Sequence, residues 1–334
     1  MPSDSPCTAT TGVFALVAML VASCSASGGE TAHQNPDAGA HEGDAAIEDA
    51  ADAGVDVDDA AVEPDADLDA DPDADPDPDA DPDAEPPDLD AAVGGGELIW
   101  RTYVGAEGTR DYLLYVPEGY DGTPRPLVVA LHGCSQSAAH FAYVTGYNHL
   151  ADTEGFLIAW PEQLLAANTS LCWNWFLPGH QRRDVGEAAI IAGIVDEVAG
   201  THAVDAKRVH AVGISAGAAM SVVMGAVFPD VFASVGSIEG CPFRGTPCVG
   251  SPSVMPPATL AQYVVEAMGV HARLVPLFAM QGTLDMNVLP PNAELLVQQW
   301  VRAADAIDDG MTNGSVPTSP DHTESATAPN GYAY

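Results

Sequence analysis

Residues 209–220 read V-H-A-V-G-I-S-A-G-A-A-M, an apolar run that turns through Gly213-Ile214-Ser215-Ala216-Gly217 into a small-residue helical pattern. Strand, sharp turn and helix in that order place one side chain at the tip of a strained bend. Side chains two positions either side of the tip would collide, which accounts for glycine at both 213 and 217. The helix that follows points its N-terminal N–H groups, with their partial positive charge, at any anion formed beside Ser215. Ser215 is therefore the candidate nucleophile. The segment also demands a fold in which a buried strand feeds directly into a packed helix.

The rest of the chain divides sharply. The first basic residue is Arg101, and half of the 48 acidic side chains lie between Glu30 and Asp90, many in D-A-D-P-D runs. The net charge of -38 is thus largely the property of an N-terminal segment. Residues 25–96 carry no apolar periodicity and cannot bury enough surface to offset their ordering entropy, so they read as an extended, disordered spacer. The Asp runs lack the Gly and Glu of an EF-hand loop. Residues 97–334 form the folded region, long enough for one domain with a substantial core. An acidic domain on an acidic tail repels phosphate, which excludes nucleic acid as a partner.

Val13–Ala22 is an apolar stretch of about ten residues, half of what a bilayer crossing needs, and it ends in L-V-A-S-C. It reads as the core of a signal peptide, with residues 1–24 as the leader. Small residues before Cys24 resemble a lipoprotein cleavage site, making Cys24 the candidate lipidation site. A lipid anchor there would be the only membrane association, with the protein exported, at the cell surface or outside the cell. No positive n-region precedes the run. Four further cysteines remain in the folded region: Cys134, Cys172, Cys241 and Cys248. In an oxidising compartment an even number reads as disulfides. Three pairings exist; the closed-loop look of P-F-R-G-T-P favours Cys241 with Cys248, leaving Cys134 with Cys172. Nothing in the spacing indicates a metal site, and no cofactor is required.

Beyond residue 97 strand and helix signals alternate. Leu98–Val104 and Arg110–Val116 read as paired antiparallel strands, and Pro126–Leu131 as a buried strand. A helix over Ala138–Thr153 leads to a strand at Phe156–Trp160. Val185–Val198 reads as a helix, Arg208–Val212 as the strand before the bend, and Ser215–Val227 as the helix after it. Val231–Ser237 and Leu274–Met280 read as strands and Ala293–Ala304 as a helix. That alternation gives an α/β fold, a mostly parallel central sheet covered by helices on both faces.

Several motifs now occur in series: L-H-G-C-S-Q at 131–136, G-F-L-I-A-W-P-E-Q at 155–163, C-W-N-W-F at 172–176, Q-R-R at 181–183, G-E-A-A at 186–189 and G-I-S-A-G-A-A-M at 213–220. Together they resemble the polyhydroxybutyrate-depolymerase-type esterases of the α/β-hydrolase fold, a group that includes feruloyl and acetylxylan esterases. The resemblance spans about residues 98–304, with Ala218 at a usual Gly and Gln281 where a His before Gly is common. It implies that Asp285, after the Leu274–Met280 strand, is the triad acid that orients the base. It implies an oxyanion site built from the backbone N–H groups of Ala216 and Cys134, each donor being worth about 2.7–4 kcal/mol in the transition state. His132 would support the oxyanion loop rather than act as base. Trp173, Asn174 and Trp175 either line the ester pocket or belong to the core.

Chain order in this fold is Ser, acid, His. After Asp285 the only histidine is His322, in a polar run, whereas the family's base lies nearer sixty residues on, in a G-H-A-W-type turn. The preferred expectation is a domain whose C-terminal part, including the base, lies beyond Tyr334; His322 as base and a fold that has lost its base are the alternatives. The expected activity is exported serine carboxylic-ester hydrolysis through an acyl-enzyme, on polyester or plant-polysaccharide-type esters. A serine peptidase of the same fold and a catalytically impaired surface-binding protein are its rivals, with a spacer role for the tail a third. Oligomeric state is open.

Overall fold

The computed structural model describes residues 94–316. The leader with Cys24, the acidic spacer as far as residue 93 and His322 lie outside the described residues. A seven-stranded sheet runs in the order β1-β2-β4-β3-β5-β6-β7. β1 (Glu97–Gly105) and β2 (Gly108–Val116) form an antiparallel hairpin with Gly105 opposite Gly108. β2 joins β4 (Leu157–Pro161) antiparallel, and from β4 onward every pairing is parallel: β3 (Arg125–Leu131), β5 (Val204–Ile214), β6 (Ser234–Ile238) and β7 (Leu277–Met280). β1 and β7 are the two edges.

The helices are α1 (Ala138–Thr145), α2 (Tyr147–Glu154), α3 (Gly186–Thr201), α4 (Ala216–Val227), α5 (Pro257–Met268) and α6 (Pro291–Asp308). Strand alternation divides the core between the two faces of the sheet. Leu127, Val129 and Leu131 of β3 pack with Ile191 and Val195 of α3 and with Met220 and Val223 of α4, joined by Val264 of α5 and Trp300 of α6. Val128 and Ala130 face the other way, toward Phe141 of α1 and Ala151 of α2. Every residue of α4 is buried, as expected of a helix with no polar face. Its alanines and glycines let it lie close against the sheet.

Three differences from the sequence reading have local causes. The helix expected over Ala138–Thr153 is two helices, because Gly146 adopts φ 62 and ends α1 in a left-handed cap. α5 was not anticipated, although Pro257 at its start and buried Leu260, Ala261, Val264 and Met268 at helical spacing signal it. β5 begins four residues before the expected strand, at Val204, because Arg125 of β3 pairs with Val204 across a bulge.

Both disulfides, Cys134–Cys172 and Cys241–Cys248, are formed. The first ties the segment after β3 to a loop 38 residues away. Closing a loop of that length constrains the unfolded chain by about 4 kcal/mol. The Cys134→Ala/Cys172→Ala double variant is therefore expected to lose about 3–4 kcal/mol of stability, read as a lowered urea midpoint with a steeper slope, since the uncrosslinked unfolded chain exposes more surface.

Candidate active site

The bend predicted at 213–217 is present, and its strain is explicit. Ser215 sits at φ 54, ψ −119, a conformation that costs a non-glycine residue about 1–3 kcal/mol. Tertiary bonds offset that cost: Ser215 N–H donates to Ile238 O at 2.9 Å, and Ser215 O accepts from Ala219 N–H at 3.0 Å. The flanking glycines are steric necessities. A methyl group on Gly213 would overlap the Gly217 carbonyl, and one on Gly217 would overlap Leu131 O. The bend is therefore packed against the backbone that leaves β3. Ala216 is the first residue of α4, so its N–H has no intrahelical acceptor.

The other oxyanion donor proposed from the sequence, Cys134 N–H, belongs to a loop that is fastened on every side. Gly133 N–H donates to Gln136 Oε1 at 2.8 Å and Ser135 N–H to Ser170 O at 2.8 Å. The Cys134 side chain is bonded to Cys172. His132 lies beneath, fully buried; its Nδ1–H donates to Gly133 O at 2.7 Å while Nε2 accepts from Gln163 N–H at 3.1 Å. Burial holds this imidazole below the usual histidine pKa, so it is a neutral ring with a fixed tautomer. A ring with both nitrogens committed to backbone is a support.

Gln163 leads to a buried polar group that draws Asn174 and Glu187 from the serial motifs and Arg110 from β2. Glu187, 1% exposed, accepts from Gln163 Nε2 at 2.6 Å, Asn174 N–H at 2.7 Å, Asn174 Nδ2 at 2.8 Å and Arg110 Nη2 at 3.3 Å. Gln163 Nε2 also reaches Cys172 O at 2.9 Å. The Q-R-R segment continues the scaffold: Gln181 Nε2 donates to Trp175 O at 2.6 Å, and Arg183 grips Asp230 at 2.6 and 2.9 Å while its guanidinium lies over Phe228. Trp173 and Trp175 are both buried in the main core cluster, the first with its ring 5.6 Å from that of His132. The structure places these rings in the core, not on a pocket wall.

Asp285 stands in the loop after β7. Its Oδ1 accepts from the N–H groups of Asn287 at 2.8 Å and Val288 at 3.0 Å, and its Oδ2 from Gln281 Nε2 at 3.2 Å. Gln281, at a position where the resembling family often has His, thus holds the carboxylate. Among the described residues no histidine hydrogen-bonds Asp285, no group of three His, Cys, Asp or Glu side chains is arranged to hold a metal, and no helix is long and apolar enough to cross a membrane. A cavity of about 550 Å³ lined by Trp100, Arg101, Thr102, Asp111 and Glu197 lies at the β1 edge, four strands from β5.

The profile of the family described as Esterase PHB depolymerase matches residues 110–318. The chain belongs to this family. Among its relatives is poly(3-hydroxyalkanoate) depolymerase C of Paucimonas lemoignei, 42% identical over 137 residues, covering 41% of this chain and 33% of that protein. Acetylxylan esterase A of Emericella nidulans is 28% identical over 204 residues, covering 57% of this chain and 66% of that protein. The chain thus spans between a third and two thirds of the length of these relatives. A solved acetyl xylan esterase from Aspergillus awamori superposes with a TM-score of 0.55 at 23% identity, covering 62% of this chain and 80% of that one, which establishes the α/β-hydrolase fold. In this PHB-depolymerase-family chain the serial motifs around the bend therefore form one connected scaffold. Glu187→Ala would strand the buried Arg110 and free Gln163 and Asn174 together. It is expected to cost about 3–5 kcal/mol, measured by chemical denaturation.

Proposed function

We propose that this protein is an exported carboxylic-ester hydrolase that works through an acyl-enzyme on Ser215. The observation that carries this reading is the strained Ser215 at the head of α4, abutting the 131–133 backbone in a chain of an esterase family. Ser215 Oγ would attack the ester carbonyl carbon as an imidazole takes its proton. The negative charge forming on the carbonyl oxygen would be met by the N–H groups of Ala216 and Cys134. Collapse of the tetrahedral species would break the C–O bond, the imidazolium giving its proton to the departing alcohol. Water, activated by the same base, would then release the acid and restore Ser215. Asp285 would hold the imidazole in the right tautomer and stabilise its charged form.

Support for a polymeric ester comes from the relatives: the poly(3-hydroxyalkanoate) depolymerase at 42% identity makes a hydroxyalkanoate polyester the first substrate to test, with acetylated xylan next. The two disulfides support the exported reading, since such bonds persist in oxidising compartments. Lipidation at Cys24 belongs to the same proposal; Cys24 and His322, the less favoured candidate for the base, fall outside the described residues.

Ser215→Ala is expected to reduce turnover of a nitrophenyl ester to the residual advantage over water of about 10³–10⁴ that binding and the oxyanion donors supply. Retention of more than a few per cent of activity would remove Ser215 as nucleophile. Asp285→Asn should lose most activity with an unchanged melting temperature. Peptide cleavage in place of ester cleavage would favour the peptidase alternative. His322→Ala separates the remaining options for the base: loss of activity to the Ser215→Ala level assigns it to His322, and full activity assigns it elsewhere.

A further inference from the structure

The C-terminal ends of β5, β6 and β7 are in register: Ile214 partners Ile238, and Ile238 partners Met280. The next residues, Ser215, Glu239 and Gln281, therefore form a row across three adjacent strands, spaced by about 4.8 Å per strand. Hydrogen bonds stitch the row together, Ser215 N–H to Ile238 O at 2.9 Å and Glu239 N–H to Met280 O at 2.8 Å. Glu239 shares the backbone peculiarity of the nucleophile candidate, at φ 56 against φ 54 for Ser215. Glutamate gains nothing intrinsically from that region, so the surroundings impose it. Gly240, just behind, is pinned: a methyl group there would overlap Ser237 Oγ and lie 2.7 Å from the Ala218 Cβ.

The half-buried carboxylate of Glu239 reaches the start of the Asp285 loop. Its Oε1 lies against Gly282, where a methyl group would come within 2.8 Å, near enough for the Gly282 N–H to stabilise the charged form. Gly282 O in turn accepts the Asp285 N–H at 3.2 Å. One residue thus links the two carboxyl-bearing segments. Burial first, and the charge of Asp285 second, push the Glu239 carboxyl above its usual pKa. Among the described residues Asp285 is the charged group that acts on it, neutral Gln281 donates to Asp285 Oδ2, and no cation pairs with either carboxylate.

We propose that Glu239 is a positioning residue of the ester-hydrolysis site: it holds the Asp285 loop through Gly282 and forms a pair of carboxyls with Asp285. The proposal rests on the esterase reading above. In that reading Asp285 holds the imidazole, and a second carboxylate nearby favours the protonated form and so raises its pKa. Removing one charge lowers that pKa and extends activity toward acid.

The test is the pH profile of kcat/KM for nitrophenyl acetate, with melting curves on the same full-length proteins. Glu239→Gln keeps an oxygen for Gly282 N–H but removes the charge, and is expected to move the acid limb down by about half a pH unit or more. Glu239→Ala also releases the loop and is expected to lower plateau kcat/KM by about ten- to a hundredfold, with Glu239→Gln recovering most of that loss. An acid limb that stays in place in both variants, with plateau values equal to wild type, would overturn the proposal.

Melting gives a readout that needs no activity. A carboxyl whose pKa rises on folding penalises the fold only at pH values above its unfolded pKa, roughly 4.3. The Tm of Glu239→Gln minus that of wild type should therefore be small below about pH 4 and grow as pH rises toward 7. In an Asp285→Asn background that growth should shrink. A Tm difference independent of pH would refute the carboxyl pair. Should the wild-type chain show no esterase activity at any pH, the esterase reading fails while the melting series still decides the pairing.

Discussion

A carboxylate withdrawn from water is tolerated only where hydrogen bonds replace its solvation, and Glu187 meets that condition with four of them. Each donor arrives from a different part of the chain: Arg110 from β2, Gln163 from the segment after β4, Asn174 from the loop closed by Cys172. The carboxylate is therefore a junction through which β2, the 163–174 loop and α3 fix one another. Gln163 passes that constraint on to His132 with its backbone N–H, and His132 passes it to Gly133. Two links separate a buried glutamate from the loop that carries Cys134 N–H. A backbone N–H is an effective donor only when held still, and the hub holds this loop without being part of it.

The strain at the site has a complementary source. Three parallel strands end in register, and the residues immediately beyond them include two non-glycine residues in left-handed backbone. Neither conformation is favoured locally. Both persist because the backbone bonds from Ser215 to Ile238 and from Glu239 to Met280 extend the sheet's ladder past the formal strand ends. The sheet thus continues into the site as a hydrogen-bonded frame, and the helix that begins at Ala216 is docked on it by a close approach that only glycine at 217 allows.

Much of this was legible before any coordinates. The bend announces itself because its glycines are sterically required, and the strands of the parallel sheet because burial on both faces makes them uninterrupted apolar runs. The break at Gly146 was missed because helical periodicity carries across a single left-handed residue. Trp173 and Trp175 were ambiguous because an aromatic ring suits a pocket wall and a core equally; their neighbours in space decided for the core. Glu239 was overlooked, although an acidic residue directly after an apolar strand, at the position Ser215 occupies after its own, is the kind of signal that marks a row.

By itself the sequence determined the alternation of strands with helices, the strained bend at 213–217 and the even cysteine count. These follow from local sterics, periodicity and composition, which act between residues near in the chain. Tertiary structure alone decided which polar residues are scaffold and which face the site. Gln163, Asn174 and Glu187 look like candidates for chemistry as a list of motifs, yet a carboxylate at 1% exposure that accepts four hydrogen bonds is structural. Tertiary structure also brought Glu239 to Gly282 and Asp285, across a separation of more than forty residues. Strand register sets such meetings, and register depends on pairing between distant segments, which no local pattern encodes.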